Sequence, residues 1–191
     1  QAVGDAVTSL GSTLVVKVIC EKPIFAADYG VYSQPFGRYW LVGGASNSGG
    51  AVLKQFFDTQ QLHALSARIN PQQPIGLNYY PLPRAGERFP LHDPHLPPRM
   101  QPRPADDAVF LQALLEGIAQ IEYQGYRRLA QLGAPYPHTV RSVGGGAQNE
   151  TWTRIRSGYL QVPVSLAPHA EAAYGAALLA KQGAHAKFHT K

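Results

Sequence analysis

Residues 139–182 read as a strand (139–143), the turn Gly144-Gly145-Gly146, a helix (147–157), a second strand (161–164) and a second helix (170–182). A strand that feeds a helix, twice in succession and the first time through a glycine turn, commits the chain to an α/β domain, because each helix must return across the sheet to start the next strand. Everything upstream has to supply the rest of that sheet and the helices that cover it.

The upstream pattern does so. Residues 6–19 are rich in β-branched side chains and are broken at Gly11-Ser12-Thr13, the signature of a hairpin. Residues 37–42 predict another strand, with 31–33 as a partner, and a small-residue loop over 43–50 leads into a helix over 51–57. A short helix is expected over 60–68, ending before Pro71. Residues 71–104 hold most of the prolines, too long a stretch for an ordinary connection. The run Leu77-Asn78-Tyr79-Tyr80-Pro81-Leu82 within it predicts an ordered excursion, since large apolar side chains favour burial.

The longest helix is expected over 106–132. Phe110, Leu114, Ile118 and Ile121 keep one face, widened by Leu111 and Leu115. Asp106 and Asp107 suit its positive end, Arg127 and Arg128 its last turn, and Gly133 its stop. Gly117 and Gly125 each cost such a helix about 1 kcal/mol against alanine, so close packing is expected at both.

Composition narrows the function classes. Of 191 residues, 45% are hydrophobic and 15% charged, the balance of a globular domain. The one cysteine, Cys20, allows no internal disulfide and ends an apolar run, where a buried, inert thiol is expected. The net charge of +5 comes from scattered residues without a Lys/Arg run, which argues against a nucleic-acid partner. No apolar run has membrane-spanning length, so no membrane partner is expected. The opening residues have no basic leader and no initiating Met, and look like a chain entered mid-sequence.

Three stretches are candidates for chemistry. The Gly144–Gly146 turn opens a helix, where free N–H groups and a partial positive charge attract anions. Asn149 and Trp152 follow one turn apart on the same face; the amide could bond a base and the indole could wall it. Taken alone, though, three glycines also make a plain tight turn and Trp152 also reads as a core anchor. Gly11-Ser12-Thr13 could aim N–H and hydroxyl groups at phosphates, or could be an ordinary turn. His92 and His95 flank Pro94, which prevents helical presentation, and lack a third ligand nearby, so no metal site is expected. Glu87, Asp93 and Asp107 read as solvated surface carboxylates.

Several strings in one order resemble the FGGY family of carbohydrate kinases. Gly144-Gly145-Gly146-Ala147-Gln148-Asn149-Glu150-Thr151-Trp152 is similar to that family's C-terminal signature. Ser9–Thr13 resembles its ATP-phosphate hairpin, Gly49–Leu53 its glycine-led helix, and Gly86–Pro94 its Gly-Glu-Arg loop. Leu115–Ala119 resembles part of its long helix and Glu171–Ala180 its closing helix.

The resemblance implies a mixed sheet flanked by helices in an actin-like ATPase (ribonuclease H-like) lobe. Residues 1–184 would be the C-terminal nucleotide-binding lobe, followed by a tail over 185–191. It implies ATP and Mg2+ as cofactors, with ATP and ADP bound through Gly11, Ser12, Gly145, Gly146 and Asn149, less directly through Gly50, and with Trp152 beside the adenine. The sugar substrate and the catalytic aspartate would belong to an N-terminal lobe absent from this chain, so the chain alone is expected to be inactive. The small cyanobacterial and plant D-ribulose kinase-like (xylulose kinase-like) members are the most similar, which implies a ketose substrate and a cytoplasmic enzyme, with the plastid left open. A non-catalytic actin-like nucleotide-binding module is the alternative reading.

Overall fold

Strand Asp5–Leu10 (β1) turns back on strand Leu14–Cys20 (β2), and the antiparallel ladder runs from Ala6↔Val18 to Leu10↔Leu14. In the computed structural model, which describes residues 2–170, 173–178, 180 and 181, this hairpin is the centre of a six-stranded sheet. Strands Tyr32–Phe36 (β3) and Tyr39–Ala45 (β4) extend it antiparallel on the β2 side. Strands Thr139–Val143 (β5) and Val164–Leu166 (β6) extend it parallel on the β1 side, giving the order β3-β4-β2-β1-β5-β6. The sheet is mixed because the hairpins need only tight turns, whereas β5 and β6 return through helices.

Between β4 and β5 lie the one-turn helix Gly50–Leu53 (α1), Thr59–Ser66 (α2) and Asp107–Gln131 (α3). Glu150–Leu160 (α4) joins β5 to β6. Local chemistry sets their ends. Asp58 and Gln61 form a reciprocal capping box on α2, and Asp106 caps α3 by accepting from Ala108 N–H. α3 stops where Gly133 takes φ +100°, with Gly133 N–H donating to Ala130 and Ala134 N–H to Leu129, a Schellman closure.

α3 lies across the sheet and divides the core. Its C-terminal half packs Tyr126 and Leu129 on Val16, Val18, Val42 and Val140. Its N-terminal half packs Phe110, Leu111, Leu114 and Ile118 with Val52, Leu53, Phe57 and Trp152. The proline-rich stretch belongs to this core: Tyr79, Leu82 and Phe89 are at most 2% exposed. That explains the two helix glycines. A Cβ on Gly117 would stand 2.8 Å from the Pro81 ring, and one on Gly125 would stand 2.7 Å from the Phe89 ring.

Most element boundaries match the sequence reading within a few residues. Four do not. The helix expected over 51–57 is only one turn long, and the one expected from 147 begins at Glu150 after a 3-10 turn, Gly145–Gln148. α4 then runs on to Leu160, with Gln161 in the left-handed conformation, so β6 starts at Val164 and not at 161. Of the helix expected over 170–182, residues 173–178 and 180–181 are helical; 171, 172, 179 and everything from 182 on, including the expected tail, lie outside the described residues. Cys20 is 3% exposed, and burial pushes its thiol up to about 11, the inert state expected.

Lys17 is an unexpected cation inside the sheet. It pairs with Gly43, whose missing side chain leaves room for it, and its Nζ lies 3.5 Å from the centre of the Tyr32 ring. The Nζ is buried and has no hydrogen-bond partner among the described residues. Burial lowers its pKa from 10.5 to about 8. The unfolded chain therefore binds more protons than the folded one between those values, so the lysine opposes folding below about 8 and its opposition fades as the pH rises toward 10.5. Lys17→Met is expected to be more stable than the parent at neutral pH, with the advantage shrinking across that window. Urea unfolding of both proteins at a series of pH values checks this; a pH-independent difference would remove the assignment.

Candidate functional site

β1 and β5 are parallel neighbours, and their last register pair is Ser9↔Val143. Both strands therefore release their turns at the same edge of the sheet, and Gly11-Ser12-Thr13 and Gly144-Gly145-Gly146 emerge side by side. Their contact is tight. Gly144 has φ +87°, and a Cβ there would stand 2.8 Å from the Leu10 carbonyl and 3.2 Å from Gly11 N. Only glycine fits without strain. A Cβ on Gly145 would meet nothing within 4 Å, so that residue faces open space, and Ser12 is exposed at the hairpin tip. The first hydrogen bond of the 3-10 turn runs from Ala147 N–H to the Gly144 carbonyl at 3.0 Å. The N–H groups of Gly145 and Gly146 precede it, at the start of the turn.

Gly50 stands behind this pair of turns. Its N–H donates to the Gly11 carbonyl at 2.9 Å, and Ala51 N–H donates to the Ser12 carbonyl at 3.0 Å. A Cβ on Gly50 would sit 2.7 Å from the Gly11 oxygen. The glycine is thus required for α1 to dock on the hairpin, and its N–H is already engaged. What α1 supplies is a brace that fixes the carbonyl side of the hairpin and leaves the opposite side of the tip exposed.

Asn149 and Trp152 lie beneath the glycine turn. Asn149 Oδ1 accepts from Trp152 N–H at 3.0 Å and so caps α4; its Nδ2 donates to Ser66 Oγ on α2 at 2.8 Å. Trp152 does not offer the stacking face expected of it. The ring is 1% exposed, its Nε1–H donates to the Leu115 carbonyl at 3.1 Å, and its Cζ3 lies where a Gly146 Cβ would be, at 2.6 Å. Spacing placed the indole on the face of the glycine turn correctly. That face points into the core, so the side chain supports the turn from below.

The Gly86–Pro94 loop also corrects an expectation. Glu87 is not a surface carboxylate; it is 2% exposed. It accepts from Ser46 Oγ at 2.6 Å, Asn47 N–H at 2.7 Å, Arg88 N–H at 2.9 Å and Tyr80 Oη at 3.1 Å. Burial and the adjacent carboxylate push the Tyr80 phenol far above its ordinary range, so it stays a donor. Through Ser46 and Asn47 the loop holds the segment that leads from β4 into α1. Asp107 is exposed and pairs with Arg103, while Asp93 accepts from His95 N–H. Among the described residues no cluster of His, Cys, Asp or Glu could hold a metal ion.

A second buried cluster carries no signature motif. Arg156 on α4 makes a bidentate pair with Glu122 on α3, at 2.6 and 2.7 Å, and donates to Ser142 Oγ on β5 at 2.7 Å. Thr8 on β1 donates to Glu122 Oε1 at 2.6 Å and shares a hydrogen bond with Tyr126 Oη at 2.9 Å. Glu122 and Arg156 are 0% exposed. Thr8 and Ser142 are register partners just before the two turns, so this cluster ties the turn-bearing strands to both covering helices.

The same architecture occurs in solved kinases. A xylulose kinase from Brucella ovis superposes with a TM-score of 0.74 at 22% identity, over 89% of this chain and 36% of that one. A xylulose kinase from Bifidobacterium adolescentis gives 0.72 at 23% identity, over 90% of this chain and 35% of that one. Plasmodium falciparum glycerol kinase, solved with ADP, gives 0.70 at 17% identity, over 88% and 36%. The chain therefore spans about a third of the length of the kinases it matches, and its sheet with flanking helices is the actin-like ATPase fold. Residues 6–184 match the FGGY family of carbohydrate kinases, C-terminal domain, and the chain belongs to that family.

Proposed function

We propose that this domain binds ATP along the edge where the hairpin and the glycine turn meet, and that in the intact protein it is the ATP-holding half of a sugar kinase. The observation that carries this reading is the juxtaposition of two open, glycine-built turns at the ends of adjacent parallel strands, with the N–H groups of Gly145 and Gly146 and the Ser12 hydroxyl at the exposed edge. The presence of ADP in the related glycerol kinase supports it.

The donor groups there are neutral N–H and O–H groups, which suit phosphate oxygens and not a hard cation. Mg2+ would be held by the phosphates, by water and by carboxylates outside this chain, and when bound it would neutralise phosphate charge. Gly11, Ser12, Gly145 and Gly146 would hold the phosphates in line for attack by a sugar oxygen whose proton passes to a carboxylate outside this chain. Phosphoryl transfer depends largely on such positioning. Gly50 and Asn149 would act from behind, bracing the hairpin and capping α4. The acceptor is a sugar, and by similarity to the xylulose kinases a ketose such as D-xylulose or D-ribulose.

Ser12 tests the reading. A donor on a stiff hairpin that bonds more strongly as charge shifts during transfer lowers the barrier more than it tightens ATP binding. Ser12→Ala in the intact enzyme is expected to lower turnover about tenfold or more, the effect of one charge-assisted hydrogen bond, with a smaller change in the Michaelis constant for ATP. Steady-state kinetics over a ketose panel gives both. Unchanged turnover would dismiss the hairpin contact, and ATP binding without sugar-dependent turnover on any acceptor would favour a non-catalytic nucleotide-binding module.

A further inference from the structure

Among the described residues three carboxylates are buried, and they are not equally satisfied. Glu87 accepts from four neutral donors. Glu122 accepts from Thr8 and twice from the Arg156 guanidinium. Glu116, 3% exposed on α3, has two donors among the described residues, Ile75 N–H at 3.0 Å from one oxygen and 3.2 Å from the other and Gln112 Nε2 at 2.8 Å, and forms no ion pair there. A buried carboxylate has about four lone-pair positions to fill, and leaving them empty is costly.

Glu116 also lines a cavity of about 960 Å3 between the 70–74 segment and the outer side of α4. That volume is of the size that holds small molecules. The segment forming one wall is itself fixed by this carboxylate, through Ile75 N–H, and by Gln112 Nε2, which donates to the Gln73 carbonyl at 2.7 Å. The opposite wall carries Arg154, Ile155 and Tyr159, and Asn70 and Gln72 stand at the rim. Burial, and after it the Glu116 charge, raise the Tyr159 phenol above its ordinary range. None of the nucleotide-edge residues Gly11, Ser12, Gly145 or Gly146 lines this cavity.

We propose that the cavity is a binding site for a small polyhydroxylated ligand, with Glu116 accepting from two adjacent hydroxyls. Vicinal hydroxyls supply two donors at the spacing of the two carboxylate oxygens, which makes up the deficit relative to Glu87. Arg154 is the complementary donor to the ligand's oxygens. Ile155, Tyr159 and the prolines of the 70–74 segment offer apolar surface to its C–H faces. Neutral donors suffice, since Glu87 in the same protein is held by N–H and O–H groups alone.

The experiment is a titration of the 15N-labelled chain with xylitol, and separately with ethanolamine as an ammonium probe, followed by amide chemical shifts without nucleotide. Xylitol is expected to give saturable shifts at Ile75, Arg154, Gly158 and Tyr159, with weak affinity of about millimolar order. Glu116→Gln keeps an acceptor for Ile75 N–H, and Arg154→Ala alters an exposed side chain, so both variants are expected to fold. Each should weaken xylitol about tenfold, the effect of losing a charge-assisted hydrogen bond. Saturable shifts from ethanolamine in place of xylitol would overturn the polyol assignment, as would xylitol affinity unchanged in both variants or the absence of saturation by xylitol. Because no nucleotide is present, these outcomes are independent of the ATP reading.

Discussion

Arg156→Ala is expected to destabilise the domain by about 3–5 kcal/mol, the cost of leaving a buried partner charge without its counter-ion. The guanidinium fills a fully buried site and makes bonds to Glu122 and Ser142. Its removal strands the Glu122 carboxylate at 0% exposure with Thr8 as its remaining partner of those described. The paired change Glu122→Leu with Arg156→Met removes both charges at similar volume, and such replacements are often close to neutral. The double variant should therefore be more stable than Arg156→Ala. Urea unfolding of the three proteins decides the matter. A loss below about 1 kcal/mol in Arg156→Ala would show that water or a local shift relieves the stranded carboxylate.

Trp152→Ala is expected to cost a similar amount, about 3–5 kcal/mol, as for other large aromatic deletions in cores. The indole sits under Gly146 and packs within the same cluster as Phe110, Leu114 and Leu115. Trp152→Phe keeps most of the volume but leaves the Leu115 carbonyl without its indole donor, a loss of about 1–3 kcal/mol. Unfolding curves measure both. A folded alanine variant of normal stability with weakened ATP affinity would instead restore the indole as a wall of the base pocket.

These two residues show where the sequence was legible and where it was not. The hairpin, α3 with its caps and the β5–glycine–helix unit could be read because each follows from local periodicity and turn chemistry. The nearness of Gly11 to Gly144 could not be read from spacing, since it depends on β5 pairing with β1, a long-range choice. Trp152 failed for a related reason: periodicity gives the face of a helix but not what lies opposite. Glu122 had a visible signal. It continues the row Phe110, Leu114, Ile118, and a charge at that position of an otherwise apolar stripe marks a buried pair. Glu87 had no such marker, because its donors come from β4's exit and from the proline-rich excursion, where no regular period applies.

The pairing of β1 with β5 sets the order in which the domain can be built. Asp5 and Thr139, which face each other on these strands, are 134 residues apart in the chain. During synthesis the β1–β2 hairpin can close as soon as it emerges, since its partners are adjacent in sequence, whereas the edge that joins the hairpin to the glycine turn has to wait for β5 and α4. Until then β1 presents an unpaired strand margin, and the Glu122 carboxylate has no guanidinium to meet. Contacts of such long sequence separation slow folding and leave margins open to wrong partners in the interval. A nascent chain halted before Thr139 would thus carry its β1 margin and its unmatched charge together, as a natural substrate for a chaperone.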